Sequence, residues 1–157
     1  MYKTPSHLPE SSRTSLVATL NERLADGLDL HSHIKTAHWN VRGPQFPALH
    51  PLFETFATQL ANHNDAIAER AVTLGGLAAG TVRHVAKQSR LGDYPIDVTR
   101  DSDHVKLLAE RFDAYLGGVR ESRGVAEKLG DTDTVDLLTG VITELEKNAW
   151  FLRATLA

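Results

Sequence analysis

The strongest constraint in this sequence is that its apolar residues recur three and four positions apart in four long runs, joined by two short connections and one long one. From Thr14 to Val41 the series Leu16, Leu20, Leu24, Leu28, Ile34, Val41 keeps helical spacing with no proline inside it. Arg42, Gly43 and Pro44 end that run, because glycine accepts left-handed backbone angles and proline cannot continue the hydrogen-bond ladder. The second run carries Leu49, Phe53, Phe56, Leu60, Ile67, Ala71 and Leu74 and stops at Gly75-Gly76. Its prolines, Pro47 and Pro51, are read into the first turns, where a missing N–H costs little. The third run, Val105 to Val119, opens after Asp101 or Ser102 as cap, and the fourth, Val135 to Leu152, follows Asp131 and Asp133.

Tight first and third connections make those helix pairs antiparallel neighbours, whereas Gly75 to Arg100 is too long for a hairpin loop within a bundle. The expected fold is all-α: a ferritin-like four-helix bundle with a long crossover between helices two and three, carrying a short extra helix at about Val82 to Leu91. With 157 residues the chain is one domain, read as a short tail over 1–13 and the bundle over 14–157. A net charge of −3 argues against a surface built as a whole for nucleic acid or anionic lipid. The absence of cysteine removes disulfides and thiolate metal sites and suits a reducing cytoplasm. No run of about 18 apolar residues offers a membrane span.

One polar stripe runs beside the apolar ones. His38 lies on the face of Leu20, Leu24 and Ile34, with His31 seven residues earlier on that face. Along the second helix His50, Glu54, Asp65 and Glu69 fall within a stripe roughly 100° wide. Imidazole nitrogen with carboxylate oxygen suits iron, manganese or zinc. Asp65 lies fifteen residues beyond His50, a separation of about 22 Å at roughly 1.5 Å per residue, so one ion cannot reach both. His38 and His50 can meet across the tight turn; Asp65 and Glu69 need another partner. A two-fold axis crossing helix two near its middle supplies one, laying the Asp65 end of one chain on the His50 end of another and making two identical sites. A di-iron site inside the bundle would call for Glu-x-x-His pairs, and the sequence has none.

The segment Lys35-Thr36-Ala37-His38-Trp39-Asn40-Val41-Arg42-Gly43-Pro44-Gln45-Phe46, followed by Ala48-Leu49-His50, resembles the signature of the Dps family (DNA-binding protein from starved cells), and Asp65-Ala66-Ile67-Ala68-Glu69-Arg70 resembles its second half. The likeness extends through Leu74-Gly75-Gly76 and Tyr94-Pro95 to Leu145-Glu146-Lys147 and Trp150-Phe151. It implies a homododecamer that oxidises Fe(II), preferably with hydrogen peroxide, stores ferric iron in its hollow centre and limits oxidative damage. It also implies the ligand set: His38 and His50 of one subunit, Asp65 and Glu69 of its two-fold mate, and Glu54 where the family usually has aspartate. Zinc or manganese could substitute for iron. The same likeness makes Trp39 an electron donor beside the metal, with interface packing as the alternative, and gives Asp136 a place in a negative funnel for Fe(II).

The remaining histidines carry less. His31 is an additional ligand candidate, His33 is turned away, His63 and His84 have no motif behind them, and His7 and His104 are expected at the surface. The alternative function is DNA condensation, with nucleoid association. Family members that condense DNA do so through lysine-rich tails, but here residues 1–14 hold only Lys3 and Arg13 against Glu10, so DNA affinity is expected to be weak.

Overall fold

A computed structural model describes residues 1–157 in full. It contains α1 (Glu10–Asn40), α2 (Phe46–Thr73), α3 (Val82–Gln88), α4 (Asp101–Lys128) and α5 (Thr132–Leu156), and no β-strand. α1 packs along α2 and α4 along α5; α1 also meets α4, and α3 lies on α1. This is the expected all-α bundle with its long crossover. No helix is long and apolar enough to cross a membrane. The apolar stripes converge on one core: Leu16, Leu20, Ile34, Phe53, Phe112 and Leu145 are among its buried members. Fully burying a side chain of this size is worth about 1.5–3 kcal/mol.

The helix ends explain how the polar stripe is positioned. Gly43 sits at φ 137°, and a Cβ there would run into the carboxylate of Asp101. That carboxylate accepts hydrogen bonds from Gln45 N at 2.9 Å and Ser102 N at 2.8 Å, while Arg42 N donates to Thr99 O and Asp101 N to Arg42 O. The start of α4 therefore clamps the turn between α1 and α2. The expected capping role of Asp101 or Ser102 is corrected accordingly: the cap position is Arg100, without a side-chain cap, and Asp101 is the first helical residue, its carboxylate taken up by the clamp.

Gly75, at φ 93°, and Gly76 close α2 by donating back to Val72 O and Ala71 O, the pairing that satisfies the last carbonyls of a helix. Gly130, at φ 76°, does the same for α4. Other boundaries shift. α1 begins at Glu10 rather than Thr14, directly after Pro9, whose fixed φ suits a helix entrance. The residues before it lie against the end of α2, with Tyr2 N donating to Gly75 O at 3.0 Å and Thr4 Oγ1 to Thr73 O at 2.9 Å. Pro47 occupies the first turn of α2 as expected, but Pro51 stands inside the helix, beyond the N–H groups that lack partners at a helix start, and so removes one ladder bond. α3 ends at Gln88 instead of Leu91 because Ser89 and Arg90 turn to α1: Ser89 Oγ donates to Asp29 at 2.5 Å and Arg90 N to Asp26 at 2.8 Å.

The core is not wholly apolar. Arg23 is 1% exposed and pairs with Asp26 at 3.2 Å, in space that the missing side chain of Gly118 leaves open.

Candidate metal centre

The clamped turn brings the end of α1 beside the first turns of α2, and His38 and His50 meet there with ring centroids 3.8 Å apart and planes inclined by 21°. Each imidazole bonds the backbone of the other residue: His38 Nδ1 lies 2.8 Å from His50 O, and His50 Nδ1 2.9 Å from His38 O. A carbonyl oxygen can only accept, so both Nδ1 atoms are donors. In neutral imidazole this leaves the lone pair on Nε2, the arrangement by which an outer hydrogen bond prepares a histidine for a metal. His38 Nε2 lies 3.3 Å from Glu54 Oε2. His38, His50 and Glu54 share a cavity of about 500 Å³ with Thr55, Thr58 and Gln59.

Lys35, one turn before His38, forms an ion pair with Glu54 that sequence reasoning missed. The hydrogen bond from its ammonium is the main reason that Glu54 ionises below the usual carboxylate range. Spacing on α1 holds the clue, since Lys35 and His38 are three residues apart and so neighbours on one face. Phe46 packs on His50 at 5.1 Å, and Trp39, beside His38, is 68% exposed.

Asp65 and Glu69 lie elsewhere. Both are exposed on α2, and Asp65 lines a separate cavity of about 370 Å³ together with His31 and Asn64. Within a single chain no set of three or more His, Asp or Glu side chains is arranged to hold an ion. One chain thus lines one cavity with two imidazoles and one carboxylate, short of an ion-holding arrangement by themselves, and leaves two carboxylates at the other end of the stripe.

The remaining candidates fall out individually. His104 is not at the surface: it is completely buried, and its Nδ1 meets Tyr94 Oη at 2.7 Å, tying the crossover to α4. His33, turned away as expected, is buried beside Asp29 at 3.3 Å. His63 bonds Glu144 at 2.7 Å, linking α2 to α5, and His7 is exposed. Asp131 caps α5 by accepting from Thr134 N and also pairs with Arg70 at 2.7 Å. Burial works to raise its pKa, but the bonds from Arg70 and Thr134 outweigh it and hold the carboxyl below the usual range. Asp136 is exposed on the same helix.

The chain matches the Ferritin-like domain family over residues 17–157. It is 41% identical to the DNA protection during starvation protein of Agrobacterium fabrum over 98% of this chain and 94% of that one. The chain belongs to the Dps family of ferritin-like proteins. Among solved structures, DpsC from Streptomyces coelicolor is 32% identical, with a TM-score of 0.95 over 99% of this chain and 91% of that one. The Dps protein of Vibrio cholerae, described as a member of a broad superfamily of ferritin-like diiron-carboxylate proteins, is 26% identical with a TM-score of 0.92, covering 100% of this chain and 99% of that one.

Proposed function

We propose that this Dps-family chain oxidises Fe(II), preferably with hydrogen peroxide, at sites shared by two subunits of a homododecamer, and stores the ferric product inside. The observation that carries the reading is the reciprocal bonding of His38 and His50, which turns two Nε2 lone pairs toward one cavity beside Glu54. A core or surface histidine pair has no need of that arrangement.

In this reading the incoming Fe(II) is held by His38, His50 and Glu54 of one subunit and by Asp65 and Glu69 of the partner subunit. The three carboxylates offset the charge that iron gains on oxidation, and the two carbonyl-locked imidazoles keep their orientation through it. Lys35 yields Glu54 when the cation arrives, since a divalent ion attracts the carboxylate more strongly than an ammonium does. The balanced step takes one electron from each of two Fe(II) ions; with two protons these convert one peroxide into two waters and leave two Fe(III). Exposed Asp136 suits a negative path that draws Fe(II) inward. DNA condensation ranks second, because residues 1–14 carry few cations.

His50→Ala and Glu69→Ala test the reading. Each is expected to slow peroxide-driven Fe(II) oxidation at least tenfold while the shell remains assembled by native mass measurement. Wild-type initial rates in both would remove these residues from the mechanism.

A further inference from the structure

Of the three tyrosines in the chain, Tyr94 alone has its hydroxyl hydrogen-bonded to a base. Its Oη lies 2.7 Å from His104 Nδ1, the two rings are nearly parallel at 9°, and both side chains are buried. Tyr2 is exposed and donates to the carbonyl of Val72, which does not take up a proton. Tyr115 is fully buried, and its hydroxyl has no hydrogen-bond partner.

The bond runs from the phenol to the imidazole. A phenol is the better donor and an imidazole nitrogen the better acceptor, and the Val98 backbone favours a proton on the other side of the His104 ring. Burial pushes the Tyr94 phenol up and His104 down, so at neutral pH the pair is an un-ionised phenol and a neutral imidazole. Such a phenol gives up an electron readily only if its proton leaves at the same time. That transfer needs an acceptor within hydrogen-bond reach, and His104 is one. The pair also stands near the candidate metal centre. The His33 ring packs on Tyr94 at 5.1 Å, and His33 is five residues before His38 on α1, a rise of about 7.5 Å at roughly 1.5 Å per residue. His104 belongs to the first turn of α4, beside the Asp101 clamp on the turn that joins His38 to His50.

We infer that Tyr94 is an electron donor to the iron centre, with His104 as the acceptor of its proton, and that the pair quenches the hydroxyl radical left when peroxide meets a single Fe(II). The inference rests on the shared-site reading, which supplies the oxidant. A single Fe(II) gives peroxide one electron and leaves Fe(III), hydroxide and a hydroxyl radical. Tyr94 then supplies the second electron. The hydroxyl radical becomes hydroxide, the Tyr94 O–H bond breaks, and its proton passes to His104 Nδ1. What remains is a neutral tyrosyl radical and an imidazolium, both held inside the protein instead of a diffusing oxidant.

Freeze-quenched electron paramagnetic resonance of the assembled shell tests this, with Fe(II) kept below one per subunit and peroxide in excess. Wild type is expected to give a tyrosyl signal that is lost in Tyr94→Phe, which keeps the ring, and retained in Tyr2→Phe and Tyr115→Phe. His104→Gln keeps a hydrogen-bond acceptor but not a base, so the signal should be lost there too although Tyr94 is intact. Spin-trapped hydroxyl radical should rise in both Tyr94→Phe and His104→Gln. A wild-type shell without a tyrosyl signal, or an undiminished signal in Tyr94→Phe or His104→Gln, would overturn the donor. His50→Ala separates this inference from the reading beneath it. A signal that needs Tyr94 but survives His50→Ala leaves the donor standing and removes the shared site as source of the oxidant. A signal that needs His50 but not Tyr94 leaves the shared site standing without this donor.

Discussion

Desolvation disfavours the imidazolium form of His104 and His33 and lowers both pKa values, despite the opposing Val98 backbone hydrogen bond and Asp103 carboxylate at His104 and the Asp29 carboxylate at His33. The unfolded chain therefore binds protons that the native state refuses. A group with a depressed folded pKa leaves stability whole above its unfolded pKa, about 6.5 for histidine, and erodes it as pH falls toward the folded value. The thermal midpoint is thus expected to drop between about pH 7 and pH 5, and to drop less steeply in His104→Gln, even though that variant starts lower for want of the imidazole against Tyr94. An acid slope identical to wild type would show that other groups take up the protons. The burial of His104 was legible in principle: it stands four residues before Leu108 and eight before Phe112, on the core stripe of α4. Reading it as a surface residue followed from its polarity, since its partner Tyr94 lies in a crossover stretch without periodicity. Arg23 and Asp26 escaped for the same reason, because their burial depends on Gly118 and on Arg90 of other elements. By contrast, the convergence of His38 and His50 follows from sequence alone, since a short turn between antiparallel helices leaves them little choice.

Elements are set by their ends. Apolar periodicity locates α1, α2, α4 and α5 and the lengths of their connections, because burial of one stripe is the dominant energy of each helix. It does not locate the first turns, which are decided by hydrogen bonds and proline geometry outside the stripe; hence the earlier start of α1 and the displaced cap of α4. The glycines are more telling, because a positive φ is a local demand that a sequence must meet with a particular residue. Gly43 carries the largest consequence, since its turn sets the distance between His38 and His50 and leaves room for the Asp101 clamp. Gly43→Ala is expected to cost about 1–3 kcal/mol through backbone strain and the displaced carboxylate, and to slow Fe(II) oxidation as well by loosening the two carbonyl bonds. Thermal unfolding at fixed subunit concentration, compared with Gly124→Ala, where a Cβ meets nothing, provides the measure. Equal midpoints in the two variants would show that the turn tolerates a side chain.

At the scale of the whole molecule the decisive fact is a length. Helix α2 is straight enough in its sequence pattern that His50 and Asp65 cannot share an ion within one chain, and the folded chain places them in separate cavities. The proposed symmetric pairing of chains would resolve this, and it makes a quantitative demand that no intramolecular site would meet. Consider one variant without the imidazoles of His38 and His50 and another without the carboxylates of Asp65 and Glu69. In either homogeneous shell every site lacks one half and is expected to be inactive. In a two-fold pair that contains one of each, one site receives both damaged halves and the other receives both intact halves. Random reassembly of an equal mixture makes half of the pairs mixed, so about a quarter of all sites are whole by this counting of a two-fold interface. Peroxide-driven Fe(II) oxidation by the mixed shells should return to about a quarter of the wild-type rate. Mixed shells, verified by native mass measurement, that stay at the background of either variant alone would mean that each site draws all its ligands from one chain, and that Asp65 and Glu69 serve something other than the iron held at His38 and His50.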